Sequence, residues 1–208
     1  MMISAILLSL AGDNSALEER ADELVAVAAE QGVPWWRTVG TIYRGWVKAK
    51  NGDVGEGISL LRCGFAAYRA SGAELLMHHH TALLARAHDI AGQTEEALSA
   101  LDDALQIVGR TGERWLETEF YRHKGGILRR QGHTAAAEEL YRKALSISDE
   151  QEAKLWQLRA ATSLARLMGE QGRRTEARDL LAPVYGWFTE GFDTPDLKEA
   201  KRLLDELA

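Results

Sequence analysis

A glycine followed by a polar residue recurs at Gly12, Gly52, Gly92, Gly132 and Gly172, a constant spacing of 40 residues. Self-similarity at a fixed period of a few tens of residues is the signature of stacked, like units. Such a stack buries its apolar surface between neighbouring repeats rather than around one catalytic pocket. The spacing therefore constrains the architecture and the kind of role before any chemistry is considered.

A second break bisects the period, at Gly32, Gly72 and Gly112, with Glu152 in the matching place and Gly191 one residue early. Each unit then reads as helix, glycine, helix, glycine, and glycine suits both places because a residue just past a helix end often takes positive φ. Only three prolines occur, Pro34, Pro183 and Pro195, while Ala, Leu, Glu and Arg are abundant, which favours helix over strand. The sequence predicts an all-α chain, a right-handed α-solenoid of about five helix-turn-helix repeats with a C-terminal capping helix. The expected organisation is a single superhelical domain over 1–208, with repeats at about 1–32 (partial), 33–72, 73–112, 113–152 and 153–191 and a cap at 192–208. Thr94 and Thr134 are candidate N-caps for second helices. The break without glycine, at Glu152, predicts a turn of different geometry.

Fixed offsets from the hairpin glycines carry the packing. Seven residues before each stands Ala5, Gly45, Ala85, Gly125 or Ala165, always small. Five residues after it stands Leu17, Gly57, Ala97, Ala137 or Ala177, and nine after it Ala21, Leu61, Leu101, Tyr141 or Leu181. Small residues on facing sides let two backbones approach closely, and bulky ones fill the space beside them.

This pattern resembles the tetratricopeptide repeat, and the match is carried by Ala85, Ala97, Leu101 and Ala104, then by Gly125, Ala137, Tyr141 and Ala144. The departures are a longer period, hence longer helices, and the absence of the family's early tryptophan and late proline. Trp36, Leu76, Leu116 and Trp156 recur instead near the start of each first helix. The tail ARDLLAPVYGWFTEGFDTPDLKEAKRLLDEL resembles the C-terminal region of large bacterial regulators. Those proteins join a cyclase-type or other signalling domain to an AAA-like ATPase and a tetratricopeptide-like tail. The resemblance implies a sensory or scaffolding region, and no G-x-x-x-x-G-K-[ST] occurs to supply the ATPase chemistry.

The two ends differ. Asp193 and Thr194 can cap a helix that opens with Pro195, and Leu197, Ala200, Leu203, Leu204 and Leu207 form one apolar stripe. Tyr185, Trp187, Phe188 and Phe192 are expected to pack under that stripe rather than form a ligand box. At the N-terminus Ile3, Ile6, Leu7 and Leu10 lack a preceding repeat to cover them. A partner chain covers them, in which case a homodimer forms through this helix, or the reading frame begins inside a longer ancestral array.

The remaining composition narrows the function classes. A net charge of −6 argues against a nucleic-acid partner, the short apolar start is too short for a membrane span, and one cysteine fits a reducing, cytoplasmic setting. Cys63 reads as a buried structural thiol. His78, His79 and His80 point about 100° apart on a helix, so they read as solvated or groove-lining residues rather than metal ligands. No triad or phosphate loop is legible, so the chain is expected to be non-enzymatic and without cofactor or metal.

The resemblance also implies a concave groove lined by the first helices. The matching positions are Trp46 and Lys50, then His79, Arg86 and Asp89, then Glu119, Arg122, Arg129 and Arg130, then Arg159, Arg166 and Glu170. Seven basic residues stand there against three acidic ones, in an acidic protein. Such a groove would attract an acidic peptide or protein segment, whereas arginines that merely pair with neighbouring acids would form an ordinary solvated face. The leading expectation is a protein- or peptide-binding scaffold in bacterial signalling. The alternative is a small-molecule-sensing domain, with an enclosed pocket lined by aromatics such as Trp46 and Phe120.

Overall fold

A computed structural model describes residues 1–208, and every regular element in it is an α-helix. The chain forms two compact units, Met1–Glu113 and Arg114–Ala208. The first holds α1 (Met2–Ala11), α2 (Asn14–Gln31), α3 (Pro34–Lys50), α4 (Val54–Ala70), α5 (Met77–Ile90) and α6 (Thr94–Thr111). The second holds α7 (Glu117–Arg130), α8 (Thr134–Glu150), α9 (Lys154–Glu170), α10 (Arg174–Gly186) and α11 (Pro195–Glu206).

Helices α1 to α9 each stop where the sequence supplies a left-handed residue at the helix C-cap or one residue beyond it. Gly112 closes α6 at φ 75°, and its N–H donates to the Val108 carbonyl. Glu152 adopts φ 52° in the break that lacks glycine, so the expected change of geometry does not occur there. A side chain in that region costs of the order of 1 kcal/mol, which the surrounding helices hold in place. Thr94 and Thr134 are not caps. They are the first helical residues, and Gln93 and His133 occupy the cap positions because each glycine turn is one residue shorter than expected. Thr194 stands at the N-cap position of α11, with Pro195 directly after it, but its hydroxyl donates to the Gly191 carbonyl at 2.7 Å instead of capping the helix amides.

Within the first unit each helix packs on its sequence neighbours, and the first helices α3 and α5 also touch. The α3–α4 crossing is the closest. A Cβ built on Gly45 would lie 2.7 Å from the Leu61 amide nitrogen and 2.8 Å from the Gly57 carbonyl oxygen. The α5–α6 pair uses alanine for the same purpose, with Ala85, Ala97, Leu101 and Ala104 wholly inaccessible. In the second unit Ala137, Ala144, Ala165, Ala177 and Leu181 are likewise fully buried, and α7, α9 and α11 adjoin in turn. Leu197, Ala200, Leu203 and Leu207 bury the apolar stripe of α11 in that core.

The uncovered N-terminal stripe is narrower than the sequence suggests. Ile3 and Leu7 are 69% and 60% exposed, but Ile6 is buried within its own unit and Leu10 is half-buried. The i, i+3, i+4 spacing puts Ile6 on the side where α2 packs. No helix is long and apolar enough to cross a membrane.

Candidate functional site

The first helices of the first unit place the residues expected to line a groove at two different depths. Trp46 on α3 and His79 on α5 are buried, so neither offers a free surface. Above Trp46 lie two cations: the Arg86 guanidinium 4.6 Å from the ring centroid and the Lys50 ammonium 5.8 Å from it. The tryptophan therefore fixes the cations that reach the surface, through attraction to its ring face.

The histidine run is buried, not solvated or groove-lining. α5 packs against α3, α4 and α6, so consecutive residues pointing in different directions all meet protein. His78 Nδ1 lies 2.9 Å from Glu113 Oε2, and the same carboxylate accepts the Leu76 amide at 3.2 Å. His79 Nε2 and the Tyr43 hydroxyl are 3.2 Å apart. His80 stands edge-on to Tyr68, with ring centroids 4.8 Å apart, and neither of its nitrogens has a hydrogen-bond partner. Burial, with a smaller effect from His78, pushes His80 down to about 3, and burial likewise lowers His79 well below the ordinary imidazole value. His78 is also lowered by burial, with Glu113 opposing. The three rings do not converge, and no group of three His, Cys, Asp or Glu residues is placed to hold a metal ion.

In the second unit the expected arginines do share the faces of the first helices, and carboxylates engage them. Arg122 on α7 is held by Glu119 at 2.6 and 2.9 Å. Desolvation pulls its pKa down, but the charge and hydrogen bonds of Glu119 outweigh this and raise it. Arg159 on α9 makes a fork on Asp196 of α11, at 2.9 and 2.8 Å, and lies 3.5 Å from Glu119. Arg166 pairs with Glu199 of α11, and Arg129 with Glu170 of α9. Arg130 is exposed at the end of α7. The result is a row of oriented guanidinium groups whose present anions are side chains of this chain. A paired, part-exposed carboxylate is exchangeable at little net cost, because such pairs contribute at most about 1 kcal/mol.

Two other positions differ from the sequence expectation. Cys63 is exposed on α4, since its neighbours Tyr68, Leu61 and Gly64 take the inward face. The C-terminal aromatics divide: Tyr185 and Phe188 pack on the core cluster, while Trp187 and Phe192 are 58% and 47% exposed. Lys154 lies 5.8 Å from the Trp187 ring. The carboxylates of α11 were missed as partners of the first-helix arginines. Their signal was present, because each lies 33 to 37 residues beyond its arginine, close to one repeat.

Comparison with known proteins bears on the architecture just described. A family model, the tetratricopeptide repeat, matches residues 121–148, which cover most of α7 and α8. The fold is that of a tetratricopeptide-like repeat array. Among solved structures it is similar to the nearly identical tetratricopeptide-like repeats of a putative kinesin light chain from Podosopora anserina. That match has 22% identity and a TM-score of 0.62, over 89% of this chain and 91% of that one. It is also similar to a signal transduction ATPase with numerous domains from Pyrococcus horikoshii that carries a tetratricopeptide repeat sensor. Here identity is 14% and the TM-score 0.73, over 98% of this chain but 31% of the ATPase. A Rap protein complexed with competence and sporulation factor gives 12% identity and a TM-score of 0.67, over 98% of this chain and 61% of the Rap chain. No curated protein sequence matches the chain. These tetratricopeptide-like neighbours agree with the helix-pair packing, and at such identities they speak to the fold alone.

Proposed function

We propose that this chain is a non-enzymatic scaffold or regulatory module that binds an acidic segment of a protein partner, in cytoplasmic bacterial signalling. The observation that carries the reading is the arginine row of the second unit. Arg122, Arg159 and Arg166 are held in orientation by Glu119, Asp196 and Glu199, so an incoming carboxylate finds forks already aimed. Arginine suits this exchange because its planar fork matches a carboxylate with two parallel bonds. Arg129 and Arg130 extend the basic row along α7, and in the first unit Lys50 and Arg86 over Trp46 offer a similar cationic face. A partner would displace Asp196 and Glu199, which makes these two residues internal competitors. The complex of the structurally similar Rap protein with competence and sporulation factor lends the reading plausibility at the level of the fold.

The competitors supply the test. Binding of a short, fluorescein-labelled Glu-rich peptide is followed by anisotropy, with helical circular dichroism as the check on folding. The double variant Asp196→Asn/Glu199→Gln is expected to bind about tenfold tighter, equivalent to ~1.4 kcal/mol. Arg159→Glu/Arg166→Glu is expected to abolish binding. Equal affinity in all three proteins would remove the arginine row from the function. Association at the exposed Ile3 and Leu7 of α1 forms a second part of the proposal, a homodimer through the N-terminal helix. Light scattering showing only monomer at tens of micromolar would dismiss that part.

A further inference from the structure

A different face of the first unit combines apolar groups with exposed charges, most of which make no ion pair. α4 and α6 run parallel, with α5 antiparallel between and beneath them, so the two second helices form the walls of a furrow and α5 forms its floor. Two cavities, of about 290 and 420 Å³, open along it and share Asp103. Phe65 and Ile107 on the walls and Met77 and Leu84 on the floor supply the apolar lining.

The polar groups of the floor are satisfied internally. The Thr81 hydroxyl donates to the Met77 carbonyl at 2.9 Å, and His88 Nδ1 lies 2.6 Å from Gln93 Oε1. The floor therefore presents carbon to whatever lies on it. The walls are the reverse. Arg62 and Arg69 on α4, and Glu95, Glu96 and Asp103 on α6, are exposed and make no ion pair, in contrast to the paired arginines of the second unit. Arg110 touches only Glu74, at 3.4 Å with both side chains more than 60% exposed.

These charges are also sorted along the furrow. Arg69 and Arg110 stand in the last turns of α4 and α6, and Glu95 and Glu96 in the first turn of α6. Each placement favours its own helix dipole, and with α4 and α6 parallel they leave one end net basic and the other net acidic, although Arg62 stands beside Glu95 and Glu96 and Asp103 lines both cavities. The poles are about 20 Å apart at 1.5 Å per residue, the length of a helix of about four turns.

We propose that this furrow is a second docking surface, and that its occupant is an amphipathic helix of a partner protein with an acidic first turn and a basic last turn. Such a helix lies antiparallel to α4 and α6. Its acidic end meets Arg69 and Arg110, its basic end meets Glu95 and Glu96, and its apolar stripe rests on Phe65, Leu84 and Ile107, which are partly exposed. An ordinary helix already carries acids first and bases last, so the poles select its direction. The parallel orientation sets like charges together, and charge complementarity of this kind governs specificity more than raw affinity. The surface is independent of the first-helix arginines, and its occupancy leaves them free for another segment.

The test uses the full chain and two fluorescein-labelled helical peptides, one with glutamates in its first turn and arginines in its last, the other with glutamine at all of those positions. The first is expected to bind saturably, and the glutamine peptide at least ~10-fold more weakly at low salt. Arg69→Glu/Arg110→Glu is expected to remove that advantage, with unchanged circular dichroism. Arg159→Glu/Arg166→Glu, which disables the proposed arginine row, is expected to leave both affinities unchanged, so the two proposals fail separately. No saturable binding by the first peptide, or equal binding of both, overturns the assignment. Self-association of the chain that Arg69→Glu/Arg110→Glu abolishes would give the furrow to a second copy and overturn the choice of occupant.

Discussion

Replacing a helical glycine by alanine normally stabilises, because alanine has the better helix propensity by about 1 kcal/mol. At Gly45 the sign is expected to reverse. A Cβ there would lie 2.7 Å from the Leu61 nitrogen, 2.8 Å from the Gly57 oxygen and 3.0 Å from Leu60 Cβ, where ordinary contact begins at 3.4 Å. The shortfall is 3.4 − 2.7 = 0.7 Å, and two of the three obstacles are main chain that no rotamer change can move. Overpacking costs about 1–3 kcal/mol, and rigid obstacles place this case at the upper end. Subtracting the propensity gain leaves a net loss of ~2 kcal/mol, or a fall in Tm of roughly 8 °C for a cooperative unit near 100 residues. Gly109→Ala on α6 is the control. It is exposed, and its Cβ would meet nothing within 4 Å, so it should gain ~0.5–1 kcal/mol. Thermal melting at 222 nm, with urea titration as a second readout, measures both. If Gly45→Ala melts at or above the wild type while Gly109→Ala rises as expected, the close α3–α4 approach is not what limits this crossing.

Acid should destabilise the first unit. His80, held down to about 3, binds no proton in the folded chain at pH 5, whereas an unfolded imidazole with the ordinary value of 6.5 does. Stability is therefore full above pH 6.5 and falls below it, by about 2 kcal/mol per such histidine at pH 5. His80→Phe should flatten the pH dependence of the urea midpoint, and an unchanged slope would contradict the burial argument. Glu152→Gly should relieve the left-handed strain and raise stability by ~1 kcal/mol, with a loss counting against it. Arg159→Ala leaves Asp196 and Glu119 without their shared cation, at a cost of about 1 kcal/mol. Hydrogen exchange in the first turn of α11 should accelerate in that variant, and unchanged protection would show that the apolar stripe alone seats the helix.

Architecture was legible because it depends on residues whose size can be read directly. The period came from glycine, and Gly45, Gly57, Ala97 and Ala137 announced which sides face each other. Surface chemistry was less legible, because it depends on what lies across from a residue. A helix covered on one side hides one stripe, but α5 is covered by three neighbours, so His78, His79 and His80 are all buried. The run Met77–Leu83, which contains no Asp, Glu, Lys or Arg, was the available signal, and period reasoning assigned only one face. Cys63 failed in the opposite direction, as an apolar residue type on a polar stripe. The arginine pairs needed their partners one repeat further on, which a search at 33 to 41 residues would have found.

The constancy of the spacing also determines which changes of length the chain can absorb. One residue added inside α8 rotates everything after it by about 100°. Lys143 would then occupy the place of Ala144, and a charge would enter a crossing that has no room for a side chain. A residue added beside Gly132 meets open space instead. Insertions are thus confined to the turns, and drift of the helices out of register is checked every 40 residues. The glycines serve as the graduations of a ruler.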